Sequence, residues 1–93
     1  MPDQSLDAVF KLKPTHRLQW EPAQKCDVLL YAEGMVTLNP SASEILKHLD
    51  GSRDLRTVIN DLERKFDATG LEEDVLEFVH SARERGWITA VQD

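Results

Sequence analysis

The rhythm of hydrophobic and polar positions changes once along this chain. Between residues 15 and 38 apolar side chains come in short runs or alternate with polar ones, the period of strands; from residue 40 onward they recur at helical spacing. Leu18 and Trp20 alternate with Arg17 and Gln19, which predicts a strand over residues 16–20 with one buried face. Val28, Leu29, Leu30 and Tyr31 are apolar on both sides, which predicts a central strand over residues 26–32. Glu33 and Gly34 make a tight turn into a third strand over residues 35–38, and a meander in that order leaves the third strand paired on one side only.

Asn39 followed by Pro40 is a helix start, a capping side chain before a proline whose missing N–H is not needed. Ala42, Ile45, Leu46 and Leu49 then form one stripe, stopped by Asp50 and Gly51. Asp54 caps a second helix with the stripe Leu55, Val58, Ile59, Leu62 and Phe66. A third begins near Leu71, carries Glu72, Glu73 and Asp74 in its first turn where the helix dipole favours them, and is predicted to bury Leu71, Val75, Phe78, Val79 and Ala82 before Gly86 ends it. Trp87 and Ile88 follow as a short apolar tail. Residues 1–14 are polar and mixed in charge, so they are expected to be a flexible N-terminal arm, with residues 15–91 as a single domain. The expected architecture is α+β and winged-helix-like: a three-stranded antiparallel sheet followed by three helices.

Length and charge narrow what such a domain does. Ninety-three residues make one core with little room to enclose a deep cavity. A formal charge of −6 makes a phosphate backbone or an anionic membrane a poor partner. Cys26 is the only cysteine, so no internal disulfide forms and a reducing, cytoplasmic setting is expected; no apolar run approaches the roughly 20 residues a membrane span needs. His16, His48 and His80 lack metal-ligand spacing, Cys26 has acidic Asp27 beside it, and no phosphate-binding glycine motif is present. No catalytic residue, cofactor site or metal site is therefore expected, and no enzyme activity. The alternative class is a winged-helix DNA-binding regulator, against which the third helix carries five acidic residues (Glu72, Glu73, Asp74, Glu77, Glu84) and only Arg83 and Arg85 as cations.

Two features remain. The third strand offers unpaired N–H and C=O groups that an extended peptide can pair with. On the third helix, Leu76 points roughly 120° away from the buried stripe and shares its flank with Val79 and Arg83. A monomer is expected; an exposed edge can also pair with its own copy, which leaves a weak dimer as the alternative.

The runs RLQWEPAQ (17–24), VLLYAEGMVTLNPSASEIL (28–46), Asp50 with Gly51, and ERGWI (84–88) resemble the PqqD family of pyrroloquinoline quinone biosynthesis, over nearly everything after the arm. Ala32 stands where many relatives carry proline. The resemblance implies a peptide chaperone that binds the precursor peptide PqqA and presents it to the radical S-adenosylmethionine enzyme PqqE. It places the peptide between the third strand and third helix, on Met35, Val36, Thr37 and Leu38 from the strand and Val75, Leu76, Val79 and Arg83 from the helix.

Overall fold

The computed structural model describes residues 6–91. Nine elements follow in chain order: β1 (Val9–Leu12), β2 (Arg17–Glu21), β3 (Cys26–Tyr31), β4 (Gly34–Thr37), α1 (Pro40–His48), β5 (Asp50–Asp54), α2 (Leu55–Lys65), α3 (Glu72–Glu84) and β6 (Ile88–Ala90). They form two antiparallel three-stranded sheets, ordered β2-β3-β4 and β5-β1-β6, around three helices. The α+β class, the meander and the three helices are as the sequence predicts. The second sheet was not anticipated.

In the meander, Leu18, Leu29 and Val36 lie opposite one another and share a face, while Arg17, Leu30 and Met35 share the other. Leu29 is fully buried; Leu18 and Val36 pack half-buried against the same core. The strand at residues 16–20 was expected to bury Trp20 as well, yet Trp20 is 56% exposed. Its register partner is Asp27, which bonds to the polar side chains of α1, so this end of the face is mostly polar, with Leu38 and Pro40 as the apolar neighbours. Gly34 has φ of +147°, a conformation side chains rarely adopt, which is why glycine opens β4.

Asp27 ties the meander to the helices. Its carboxylate accepts a hydrogen bond from the Ser43 hydroxyl and lies 3.1 Å from Lys47 Nζ, both on α1. The Ser43 bond foremost, then Lys47, holds the Asp27 carboxyl below its ordinary range against the opposing effect of burial. Helix starts follow the predicted chemistry: Asn39 Oδ1 accepts from Ala42 N at 2.8 Å, and Asp54 Oδ1 accepts from Thr57 N at 2.8 Å. The other N–H groups at the start of α2 find main-chain acceptors, Leu55 N on Ala8 O and Arg56 N on Leu6 O, both at 2.9 Å.

Those two bonds come from the segment before β1. The arm expected over residues 1–14 is, in its described part, built into the fold; residues 1–5 lie outside the described residues. β1 runs between β5 and β6, with Phe10 opposite Ala90 and Lys11 opposite both Asp50 and Thr89. Phe10 is 1% exposed in the main core, and Arg83 sets its guanidinium 5.2 Å from the ring centroid. A four-residue strand flanked by charges gives too short an alternation to stand out from an arm. Its partner β5, with sequence DGSRD, holds residues that strands usually avoid and exists because β1 supplies its hydrogen bonds. Of the apolar tail, Ile88 likewise opens β6, while Trp87 stays in the turn before it.

The turn into β6 has a clear cause. After α3, Trp87 N donates to Ala82 O and Gly86 N to Arg83 O, each at 3.0 Å, with Gly86 at φ +78°. This paired closure satisfies the last carbonyls and turns the chain back toward β1.

Truncating Phe10→Ala is expected to destabilise the domain by about 3–5 kcal/mol, read as a lower urea midpoint; an unchanged midpoint would mean that β1 is dispensable. Asp27, Asp50 and Asp54 all have carboxyl pKa values lowered by the folded state, through Ser43, Ser52 and Thr57 respectively as leading partners. A lowered folded pKa gives stability that is present above the unfolded value, near 4, and lost as pH falls through the folded value. The stability gap between wild type and Asp27→Asn should therefore be open at pH 7 and narrow as the pH falls below about 4, as followed by denaturation at each pH.

Candidate functional site

Each sheet has two edges, and their chemistry differs. β2 carries Arg17 and Glu21, β5 carries Asp50, Arg53 and Asp54, and β6 is only three residues long. Charges and short length both discourage pairing with another chain. β4, with sequence GMVT, is uncharged, and among the described residues it pairs with β3 alone. Leu38 N donates to Asp27 O at 3.0 Å, so the ladder reaches one residue past β4 before Asn39 starts α1.

The eight residues predicted for the site divide by burial. Met35 is 50% exposed and Thr37 is exposed, both on the outward sheet face; Val36 is half-buried on the inward face. Leu38, Val75 and Val79 are buried members of the main core, so they lie beneath the surface and support it. Leu76 is half-buried against that core, where the sequence had set it outside the stripe. Arg83 covers Phe10 of β1 and so is turned to the second sheet.

On the opposite flank of α3 the surface opens. A groove of about 480 Å³ lies among the start of α1, the end of α2 and the first half of α3. Pro40, Ala42, Phe66, Leu71 and Phe78 give it apolar walls, over a floor that includes Ile45, Leu62 and Val75. Helical spacing places Phe66, Leu71 and Phe78 in buried stripes; in the structure Phe66 is 51% exposed and the other two are half-buried. Phe66 is the C-cap of α2, its N–H bonded to Leu62 O at 3.0 Å at the very end of the stripe, and Leu71 and Phe78 sit at the margin of the α3 stripe. A margin position was the only available signal, and periodicity does not say whether a margin is covered.

Two charged residues line the groove, Glu44 and Asp74. Glu44 is half-buried and held by Lys65, with Oε1 3.0 Å from Nζ, and by Lys47 at 3.9 Å. Asp74 is exposed in the first turn of α3 and makes no ion pair among the described residues. The start of α3 is fixed from below, where Glu63 Oε2 accepts from Leu71 N at 3.0 Å.

Among the described residues no group of three or more histidines, cysteines or carboxylates could hold a metal ion, and no helix is long and apolar enough to cross a membrane. The DNA-binding alternative finds no support: Glu72, Glu73, Asp74, Glu77 and Glu84 all stand exposed along α3 and would meet phosphate with like charge.

Comparison with known proteins bears on the same region. Residues 26–88 match the family model described as "Coenzyme PQQ synthesis protein D (PqqD)". A "PqqA binding protein" of Azotobacter vinelandii is 49% identical over 89 residues, covering 95% of this chain and 97% of that one. Another from Methylococcus capsulatus is 46% identical over 85 residues, 91% of each. The fold matches the solution structure of the PqqD truncation of Methylobacterium extorquens PqqCD, described as a stand-alone recognition element for ribosomally synthesised and modified peptides. That match has a TM-score of 0.76 and 22% identity, over 96% of this chain and 99% of that one, and speaks to the fold alone.

If Phe66 belongs to a groove wall and not to the core, Phe66→Ala should cost at most about 1 kcal/mol of stability, in contrast to Phe10→Ala. Thermal or urea unfolding of the two variants side by side checks this.

Proposed function

This chain belongs to the PqqD family, and from that premise we propose that it is a peptide carrier that takes PqqA as an added strand on the free edge of β4 and presents it to PqqE. The observation that carries the reading is the uncharged edge of Gly34–Thr37, paired on one side only among the described residues. The relatives named for PqqA binding align with 95% and 91% of this chain, over 97% and 91% of their own length.

The physical terms are adequate for a carrier. An edge of four residues offers a few main-chain hydrogen bonds, each worth about 1 kcal/mol net. With two or three apolar side chains buried alongside, binding near micromolar remains after the cost of association. Strand addition alternates the peptide's side chains between the two faces of the sheet. One set would pass Val36 and the α3 side, where Leu76 packs half-buried against the core that includes Leu38, Val75 and Val79; the other would pass Met35 and Thr37. Arg83, turned toward Phe10, takes a rim position in this reading. The covalent chemistry belongs to the enzyme that receives the peptide, and this chain contributes position: it holds an otherwise flexible substrate in one extended conformation.

Titrating isotopically labelled protein with PqqA while recording amide shifts tests the carrier reading. The largest shifts are expected at Gly34–Thr37; saturable binding that leaves those four amides unmoved would falsify strand addition on β4. Cross-linking of PqqA by PqqE should also rise when this chain is supplied, and an equal rate without it would remove the presenting step.

A further inference from the structure

We infer that the groove between α1, α2 and α3 is a second anchor point for the same peptide, and that it takes an apolar side chain with a lysine or arginine beside it. The inference rests on the carrier reading and adds to it the chemistry of the segment that leaves the β4 edge.

Three observations support it. The groove is reached directly from the edge: Asn39, one of its lining residues, stands two residues after Thr37, at most about 7 Å along the chain. A peptide extended along β4 and running off that end therefore arrives at the groove mouth. The walls are apolar, with Phe66 half exposed although it is a large aromatic side chain, and about 480 Å³ is enough for one or two large side chains. Finally, the charges lining it are of one sign, since Glu44 and Asp74 are carboxylates and no lysine or arginine lines the groove.

The two carboxylates differ in availability. Glu44 has Lys65 and Lys47 as partners already, so its charge is largely answered within the fold. Asp74 is exposed at the rim, and beside it on the same helix Glu73 and Glu77 are exposed too. A cation arriving with an apolar anchor meets this uncompensated side, whereas an acidic segment would be repelled by it. The alternative role for Asp74, favourable interaction with the α3 dipole, predicts a change in stability but none in which peptide is preferred.

The decisive experiment is calorimetric titration of the full chain with PqqA and with PqqA in which every lysine and arginine is replaced by glutamine. Asp74→Asn, which keeps the side-chain shape, is expected to weaken PqqA binding roughly twofold to fivefold and to leave binding of the glutamine peptide unchanged. Ala42→Phe, which fills the groove from α1, is expected to weaken both peptides about tenfold or more while amide shifts at Gly34–Thr37 persist. If PqqA binds all variants equally, the groove is not an anchor and the carrier reading stands alone. Failure of the wild-type chain to bind PqqA overturns both. Self-association that Ala42→Phe abolishes, with peptide affinity unchanged, would assign the groove to a second copy and overturn the inference. Should Ala42→Phe fail to fold, the Asp74→Asn comparison decides by itself.

Discussion

Burial of one aromatic ring near the start of the chain holds the domain closed. Phe10 sits at 1% exposure between β5 and β6, capped by the Arg83 guanidinium from α3. The strand that carries it bonds to segments from the middle and the end of the sequence, and the carbonyls just before it take the first N–H groups of α2. Without that strand, β5 and β6 would have no partners and α2 would open on unsatisfied donors. In a domain this small, with total stability on the order of 5–15 kcal/mol, one such side chain is a large share of what keeps the helices in place.

That closure does not depend on the meander. The second sheet and α3 are bound to each other through Arg83 and β6, so the β2-β3-β4 sheet is not asked to close the fold and keeps an unpaired edge. What fixes the meander instead is polar: Asp27 reaches Ser43 and Lys47 and sets α1 against β3. The same helix begins three residues past β4 and forms one wall of the groove, so the edge and the groove are held by one short rigid connection. A carrier benefits from such preorganisation, because ordering the receiving surface is then not charged against binding. Negative charge along α3 disfavours nucleic acid while leaving the apolar groove available to a peptide.

Residues with strong local signals were read correctly. The capping geometry at Asn39 and Asp54, the stripes of α1 and α2 as far as Leu62, the doubly apolar β3 and the unpaired edge of β4 all follow from spacing and capping chemistry. The family resemblance was carried by contiguous motifs, which a sequence displays without any tertiary information. Errors concentrated where neighbours from distant parts of the chain decide the outcome: Trp20 and Phe66 are exposed although their spacing matched a buried stripe, and Leu76 packs although its angle pointed away.

By itself, then, the sequence determined the α+β class, the order of the meander and helices, the acidic character of α3 and the free edge, since each depends on residues close together in the chain. Tertiary structure alone decided that Val9–Leu12 is a strand and not an arm, that the polar run Asp50–Asp54 pairs with it, that Arg83 turns to Phe10, and that the margin of the α3 stripe opens into a groove. The physical reason is that helical and strand periods say which side of an element is apolar. Only packing between elements far apart in sequence says which apolar positions are covered.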